Sequence, residues 1–389
     1  MSRPTGGHPG RGRQTSQSPP PRGRSQNRSR SPTRRPTGRR PSPPPYIKTS
    51  KRRLQKYGKS YARYGCAIVP PGKVIEHYLL RLHNEADAIE ATYSEDDDYV
   101  YAQWDALLLR CPPIMQEVTH GSEDRIETVK QDLDSAWSLA RSDAVQSVGK
   151  VIRKWISRTK VDGISIIPPD TTNPADVDED SKAALGFVNP TTARLLCPYS
   201  LDINAPGVRE SLEACEVEKD DLPLLFFEDY RVAENSPEVL CGALQSDITY
   251  WGYQTIFTSP SSAGKPGRTR RKRSSKPTNC EIAGMSEVTG PSIGFTCLVL
   301  RFLLSPSKNF YLVDDEFDYR ALYKQIVDFI DKECAMPVVA PETLNDGQRF
   351  LKKWNERIFG KQHVVRPEAS ISTLVERARA RVALGDITN

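Results

Sequence analysis

The sequence predicts a mainly α protein: a helical body of one domain or two subdomains, preceded by a disordered basic N-terminal tail. Three observations carry this. Apolar residues recur three and four apart over several long stretches, the spacing that gives a helix one apolar face. No half of the chain reads as strand-rich. Residues 2–45 contain no Val, Ile, Leu, Phe, Tyr or Trp, yet hold eleven arginines and no acid. Such a segment has too little apolar surface to offset the entropy of ordering.

The tail is expected to cover residues 1–65. Residues 1–75 carry 19 Lys and Arg and no Asp or Glu, while the remainder sums to −13. The net +6 hides this asymmetry. A concentrated cation suggests polyanionic partners or a basic address signal. Arg28, Arg30, Arg34, Arg35, Arg39 and Arg40, with Lys51, Arg52 and Arg53 beyond them, are the expected non-specific contacts with RNA or DNA phosphates. Ser18, Ser31 and Ser42 each precede a proline and suit proline-directed kinases, whose phosphates would offset the tail's charge. Between Lys48 and Tyr64 the tyrosines 57, 61 and 64 interleave with cations. Two readings stay open there: base stacking, or a basic hinge whose rings rest on the body.

The body follows in order. Val74 to Tyr93 places Ile75, Tyr78, Leu79, Leu82, Ala86 and Ile89 on one helical face. Asp96 to Arg110 is a second helix with acids at its start, where the macrodipole favours them, and Pro112-Pro113 ends it. Ser122 opens a stripe from Ile126 to Trp155, a helical hairpin or one long kinked helix. These make a helical subdomain over 66–160. Residues 161–182 hold Gly163, Pro168, Pro169 and Pro174 and read as a linker or surface loop.

A second helical subdomain is expected over 183–360. It takes a short helix over 205–217, an apolar run of uncertain type at 222–227, and helices over 237–257, 292–304, 317–333 and 342–359. A disordered basic loop is expected at 261–279. It carries Arg268, Arg270, Arg271, Lys272, Arg273 and Lys276, and TRRKRSSK has the form of a monopartite nuclear localisation signal. A charged C-terminal helix or tail is expected over residues 361–389. The apolar run from Ile293 to Leu304 is too short to span a bilayer and reads as a buried core helix, so no membrane partner is expected.

No chemistry is legible in the body. The five histidines form neither HxxxH nor HExxH, and the eight cysteines form no CxxC, so neither a catalytic residue nor a metal site is assigned, and no cofactor. There is no GxxxxGK[ST] or GxGxxG; SPSSAGKPG at 259–267 lacks the flanking strand and helix of a phosphate loop, and its serines are read as caps or turn formers. Asp314-Asp315-Glu316 and Asp318 read as N-terminal helix acids.

Several phrases together carry a resemblance: ARSDAVQSVGKVIRKWI (140–156), NPTTARLLCP (189–198), YQTIFTSPSSA (253–263), IAGMSEVTGPSIGFTCLVLRFLLS (282–305) and FLKKWNERIFG (350–360). In this order they resemble an uncharacterised fungal domain-of-unknown-function family, expanded in mushroom-forming basidiomycetes, over about 74–360. The resemblance implies no activity, cofactor or catalytic residue. The body departs from it at LLFFEDYRVAENSPEV, where a longer, Trp-containing segment is expected. The functional expectation is a non-enzymatic nuclear interaction protein, with a protein partner for the body and basic arms that contact nucleic acid. The alternatives are an enzyme of unrecognised type, in the manner of a mobile-element remnant, and a cytoplasmic location.

Overall fold

The computed structural model describes residues 46–86, 91–169, 171–177, 182–216, 221–232, 242–265, 277–313, 317–336 and 344–360. The contacts expected at residues 28–40, the sites Ser18, Ser31 and Ser42, the import signal at 268–276 and the C-terminal helix or tail expected over 361–389 all lie outside them. The fold is mainly α, with one two-stranded hairpin among the described residues.

The first helix corrects the expected tail. Residues 51–64 are not disordered: they form α1 (Lys51–Tyr64), with Leu54, Gly58, Tyr61, Ala62 and Tyr64 buried. Lys51, Arg52, Arg53 and Lys56 face outward, so the helix is amphipathic despite its basic composition. Tyr61 and Tyr64 are core residues rather than a stacking platform. Upstream, Thr49 N–H and the Tyr46 hydroxyl both donate to the buried Glu117.

Next come α2 (Pro71–Ala86), α3 (Glu95–Arg110), α4 (Ile114–His120) and α5 (Glu123–Arg158). The acids at 95–98 sit in the first turn of α3 behind a Ser94–Asp97 capping box. Tyr78 of α2 stacks on Trp104 of α3 with centroids 3.7 Å apart. The stripe begun at Ser122 is one continuous 36-residue helix, capped by Ser122 itself. It is the backbone of the fold, and α1 lies along it. At their crossing a Cβ on Gly58 would lie 2.5 Å from Leu133 O, so only glycine lets the two backbones approach this closely.

The segment read as a linker, 161–182, is structured where it is described. Strands β1 (Lys160–Val161) and β2 (Ile164–Ser165) pair through Asp162-Gly163, both at positive φ, the geometry of a tight hairpin turn. Pro174 is buried, and Arg153 of α5 donates to Val177 O at 2.6 Å. The two expected subdomains share one compact unit from Pro45 onward.

The second half contains α6 (Pro190–Leu196), α7 (Val208–Glu213), α8 (Asp247–Tyr253), α9 (Asn279–Ala283), α10 (Gly290–Leu304), α11 (Tyr319–Ala335) and α12 (Asp346–Phe359). α10 is apolar all round and almost wholly buried. It packs against α1, α5, α8 and α11, so segments from both halves meet on it. Its one charge, Arg301, stacks on Phe317, 3.3 Å from the ring centroid, and donates to the Tyr319 hydroxyl. Asp318 caps α11 by accepting from two backbone N–H groups, as read from the sequence for that acid; 314–316 are not described.

Other boundaries move. The helix expected over 237–257 begins, in its described part, only at Asp247, because Gly242 and Leu244 take positive φ. α7 is shorter than 205–217, bounded by Gly207 and Cys215, also at positive φ. Leu224–Phe226 is a single tight helical turn. No described helix is long and apolar enough to cross a membrane.

Candidate functional site

After α8 the chain widens into a five-residue π-helix, Gln254–Thr258, before a turn at Pro260–Ser262. Single π-turns are uncommon and concentrate at functional sites. The turn is fastened by one buried side chain. Gln254 Oε1 accepts from Gly264 N–H (3.0 Å), and its Nε2 donates to Lys265 O (2.8 Å). Thr258 Oγ1 donates to Gln254 O at 2.7 Å. The IFTSPSS phrase is therefore a rigid corner. The ends of the basic loop expected to be disordered over 261–279 are ordered at 261–265 and 277–279: Ser262 bonds back to Ser259 O, and Thr278 caps α9 in a capping box with Glu281.

This corner forms one wall of a groove with two adjoining chambers, of about 550 Å³ and about 280 Å³. Both are lined by Arg63, Asp143 and Asn279. The larger chamber adds hydroxyls from α5 (Ser147), the corner (Thr258, Ser259, Ser261) and the α9 cap (Thr278). The smaller is walled by α1, with Arg52, Lys56 and Lys59. Across the two linings stand four cations and one carboxylate.

That carboxylate, Asp143, is shared. Lys59 Nζ lies 2.7 Å from its Oδ2, and Arg63 Nη2 only 3.8 Å. Among the described residues, the close hydrogen bond of Arg63 runs from Nη1 to the neutral Asn279 Oδ1 at 3.0 Å. Asn279 Nδ2 in turn donates to Ile256 O inside the π-helix, so one amide joins α1 to the corner. Arg63 is 7% exposed. Burial pushes its guanidinium pKa below the ordinary value, with Asp143 pulling the other way. Two buried polar atoms in the lining residues, Arg63 Nε and Thr255 Oγ1, have no hydrogen-bond partner among the described residues. The groove is thus a cationic, hydroxyl-rich cleft suited to holding an anion. Its aromatic lining residue, Tyr64, is buried, so it offers no face for base stacking.

Among the residues proposed from sequence, Lys51, Arg52 and Arg53 sit in the exposed first turn of α1. Arg52 reaches the groove, whereas Lys51 pairs with Asp132 at 3.0 Å on another side. Asp143, Ser147, Thr258, Thr278 and Asn279 escaped the sequence reading; they come together only through contacts that span up to 216 positions. The described residues contain no group of three or more metal-ligating side chains. Of the described cysteines, Cys66, Cys111, Cys197, Cys280 and Cys297 are buried thiols, and Cys215 is exposed.

No curated protein and no solved structure matches the chain. One protein family does, over residues 135–359, more than half of the sequence. The matched region runs from the middle of α5 to the end of α12 and takes in the π-helix, the corner, Asp143 and Asn279, but not α1. The chain belongs to this family, a family of unknown function designated DUF6698.

Proposed function

We propose that this chain is a non-enzymatic nuclear interaction protein whose basic segments contact nucleic acid without sequence preference. One observation carries the reading. The acid-free run of positive charge that begins in the tail continues onto a folded element, the outward face of α1, where Arg52, Arg53 and Lys56 stand exposed beside the cationic groove. Cations on a rigid helix hold phosphates at defined spacing, and the tail adds a diffuse electrostatic arm. The lack of an exposed aromatic in the groove favours backbone contact over base readout.

Fluorescence anisotropy with single-stranded RNA tests this. Because α1 belongs to the core, the informative truncation starts at Pro45 and leaves α1 in place. The full chain should bind more tightly than the truncation. Its affinity should fall about a thousandfold or more between roughly 50 mM and 200 mM salt if six or more phosphates are neutralised. In the truncation, replacing Arg52, Arg53 and Lys56 by Ala should remove most of what remains. Binding that ignores salt, or equal affinity for the full chain and the truncation, would refute the reading.

Nuclear entry is tested separately. Changing Arg270, Arg271, Lys272 and Arg273 to Ala should move a fluorescent fusion toward the cytoplasm, since clustered cations are what an import receptor reads. The same change combined with deletion of residues 1–44 removes a second signal in the tail. A wild-type fusion that never enters the nucleus, or a combined variant that remains there, would exclude the import role.

A further inference from the structure

We propose that the groove around Arg63 is a binding site for a phosphate monoester, with Arg63 and Lys59 as its cations and the corner hydroxyls as its further donors. A buried guanidinium normally meets a carboxylate edge-on, with two parallel hydrogen bonds. Here its close partner is a neutral amide, and the nearest carboxylate oxygen is 3.8 Å away and already bound at 2.7 Å by Lys59. Nε has no partner among the described residues. A cation so enclosed and so poorly compensated is costly to keep, and a second anion would relieve it.

The donors around it fit phosphate oxygens. Thr278 Oγ1 accepts from Glu281 N–H and so keeps its own proton for another acceptor. Ser259 and Ser261 hydroxyls share one hydrogen bond at 2.8 Å, which engages one of their two protons. Thr255 Oγ1 is buried without a partner among the described residues, in the same wall. Four cations against one carboxylate favour a dianion over a monoanionic diester. A chamber of about 550 Å³ falls within the size of small-ligand sites and exceeds what a bare phosphate fills. The phosphate therefore belongs to a larger group: a small free ester, or the phosphorylated end of a longer molecule. This differs from the salt-sensitive, sequence-blind contact proposed above, which needs no pocket.

The experiment uses the full chain and isothermal titration with three probes: inorganic phosphate, adenosine 5′-monophosphate, and a 5′-phosphorylated hexanucleotide beside its 5′-hydroxyl twin. The tail is identical in every variant, so differences between variants report the groove. Arg63→Lys should weaken monophosphate binding about tenfold, the loss expected when one hydrogen bond to a charged group is removed. Asp143→Asn removes the competing carboxylate and should tighten binding several-fold. Misfolding cannot mimic that gain. If the nucleotide responds to both changes, the site takes small free esters. If only the phosphorylated hexanucleotide does, and its twin does not, the site takes phosphorylated ends; either result supports the assignment. Unchanged affinity for every probe in both variants would overturn it, even where sequence-blind RNA binding persists. Conversely, variant-sensitive monophosphate binding without RNA binding would uphold the pocket and sink the nucleic-acid reading alone.

Discussion

A chain that starts at Gly65 should fail to fold, while a chain that starts at Pro45 should keep the helicity of the body. Composition alone would place the cut at 65, at the end of the basic stretch. Yet α1 buries Leu54, Tyr61, Ala62 and Tyr64 against α5 and its neighbours. Fully burying one large apolar side chain is worth about 1.5–3 kcal/mol. Three such residues, with the core they cover, approach the roughly 5–15 kcal/mol that stabilises a whole domain. Removing α1 also bares the surface around Leu133 and Ala136, where Gly58 makes its close approach. Circular dichroism and thermal melting of the two truncations decide the matter. A cooperative, near-identical melt for the Gly65 start would show that α1 is dispensable.

The second large effect lies at Glu117. Its carboxylate is 1% exposed and accepts four hydrogen bonds: Tyr46 OH (2.5 Å), Thr49 N–H (2.5 Å), Arg125 Nε (2.8 Å) and Arg125 Nη2 (2.9 Å). The same Arg125 donates to Thr49 O at 2.7 Å, so the pair pins the chain just before α1 onto α4 and α5. Burial alone would raise the Glu117 pKa, but the bonds from Arg125, Tyr46 and Thr49 outweigh it and hold it at about 2. Glu117→Ala leaves Arg125 without its counter-ion and should cost about 3–5 kcal/mol. The pH dependence has a definite sign. The folded pKa is depressed, so the stabilisation is complete above the ordinary carboxylate value of 4.5 and is lost as pH falls from there toward about 2. Wild-type melting temperature should drop across that window, and Glu117→Gln should lower it less steeply. A Glu117→Gln protein with the wild-type acid slope would show that other carboxylates govern acid unfolding.

α1 and the groove show why part of the molecule was legible and part was not. Leu54, Tyr57, Tyr61 and Tyr64 already lie three and four apart, so the helical signal was present in the sequence. It was overshadowed by seven Lys and Arg between 48 and 64. Such side chains keep their charges in water while their stems cover apolar surface, so basic composition does not exclude packing. The groove is different in kind. Asp143 is an ordinary acid on a long helix, and Asn279 an ordinary residue beside a basic loop. Neither has a local pattern that marks it.

By itself the sequence determined the helical class, the positions of α3, α5, α10 and α11 to within a few residues, the capping acids at 95–98 and 318, and the charge division between tail and body. These depend on periodicity, caps and composition, all of which act over one or two helical turns. Only the tertiary structure decided that α1 belongs to the core, that 174–177 packs on α5, and that Arg63, Asp143 and Asn279 meet beneath the 254–262 corner. Those outcomes depend on which surfaces bury one another across tens to hundreds of positions. Burial is a property of pairs of surfaces, and no single stretch of chain carries the identity of its partner.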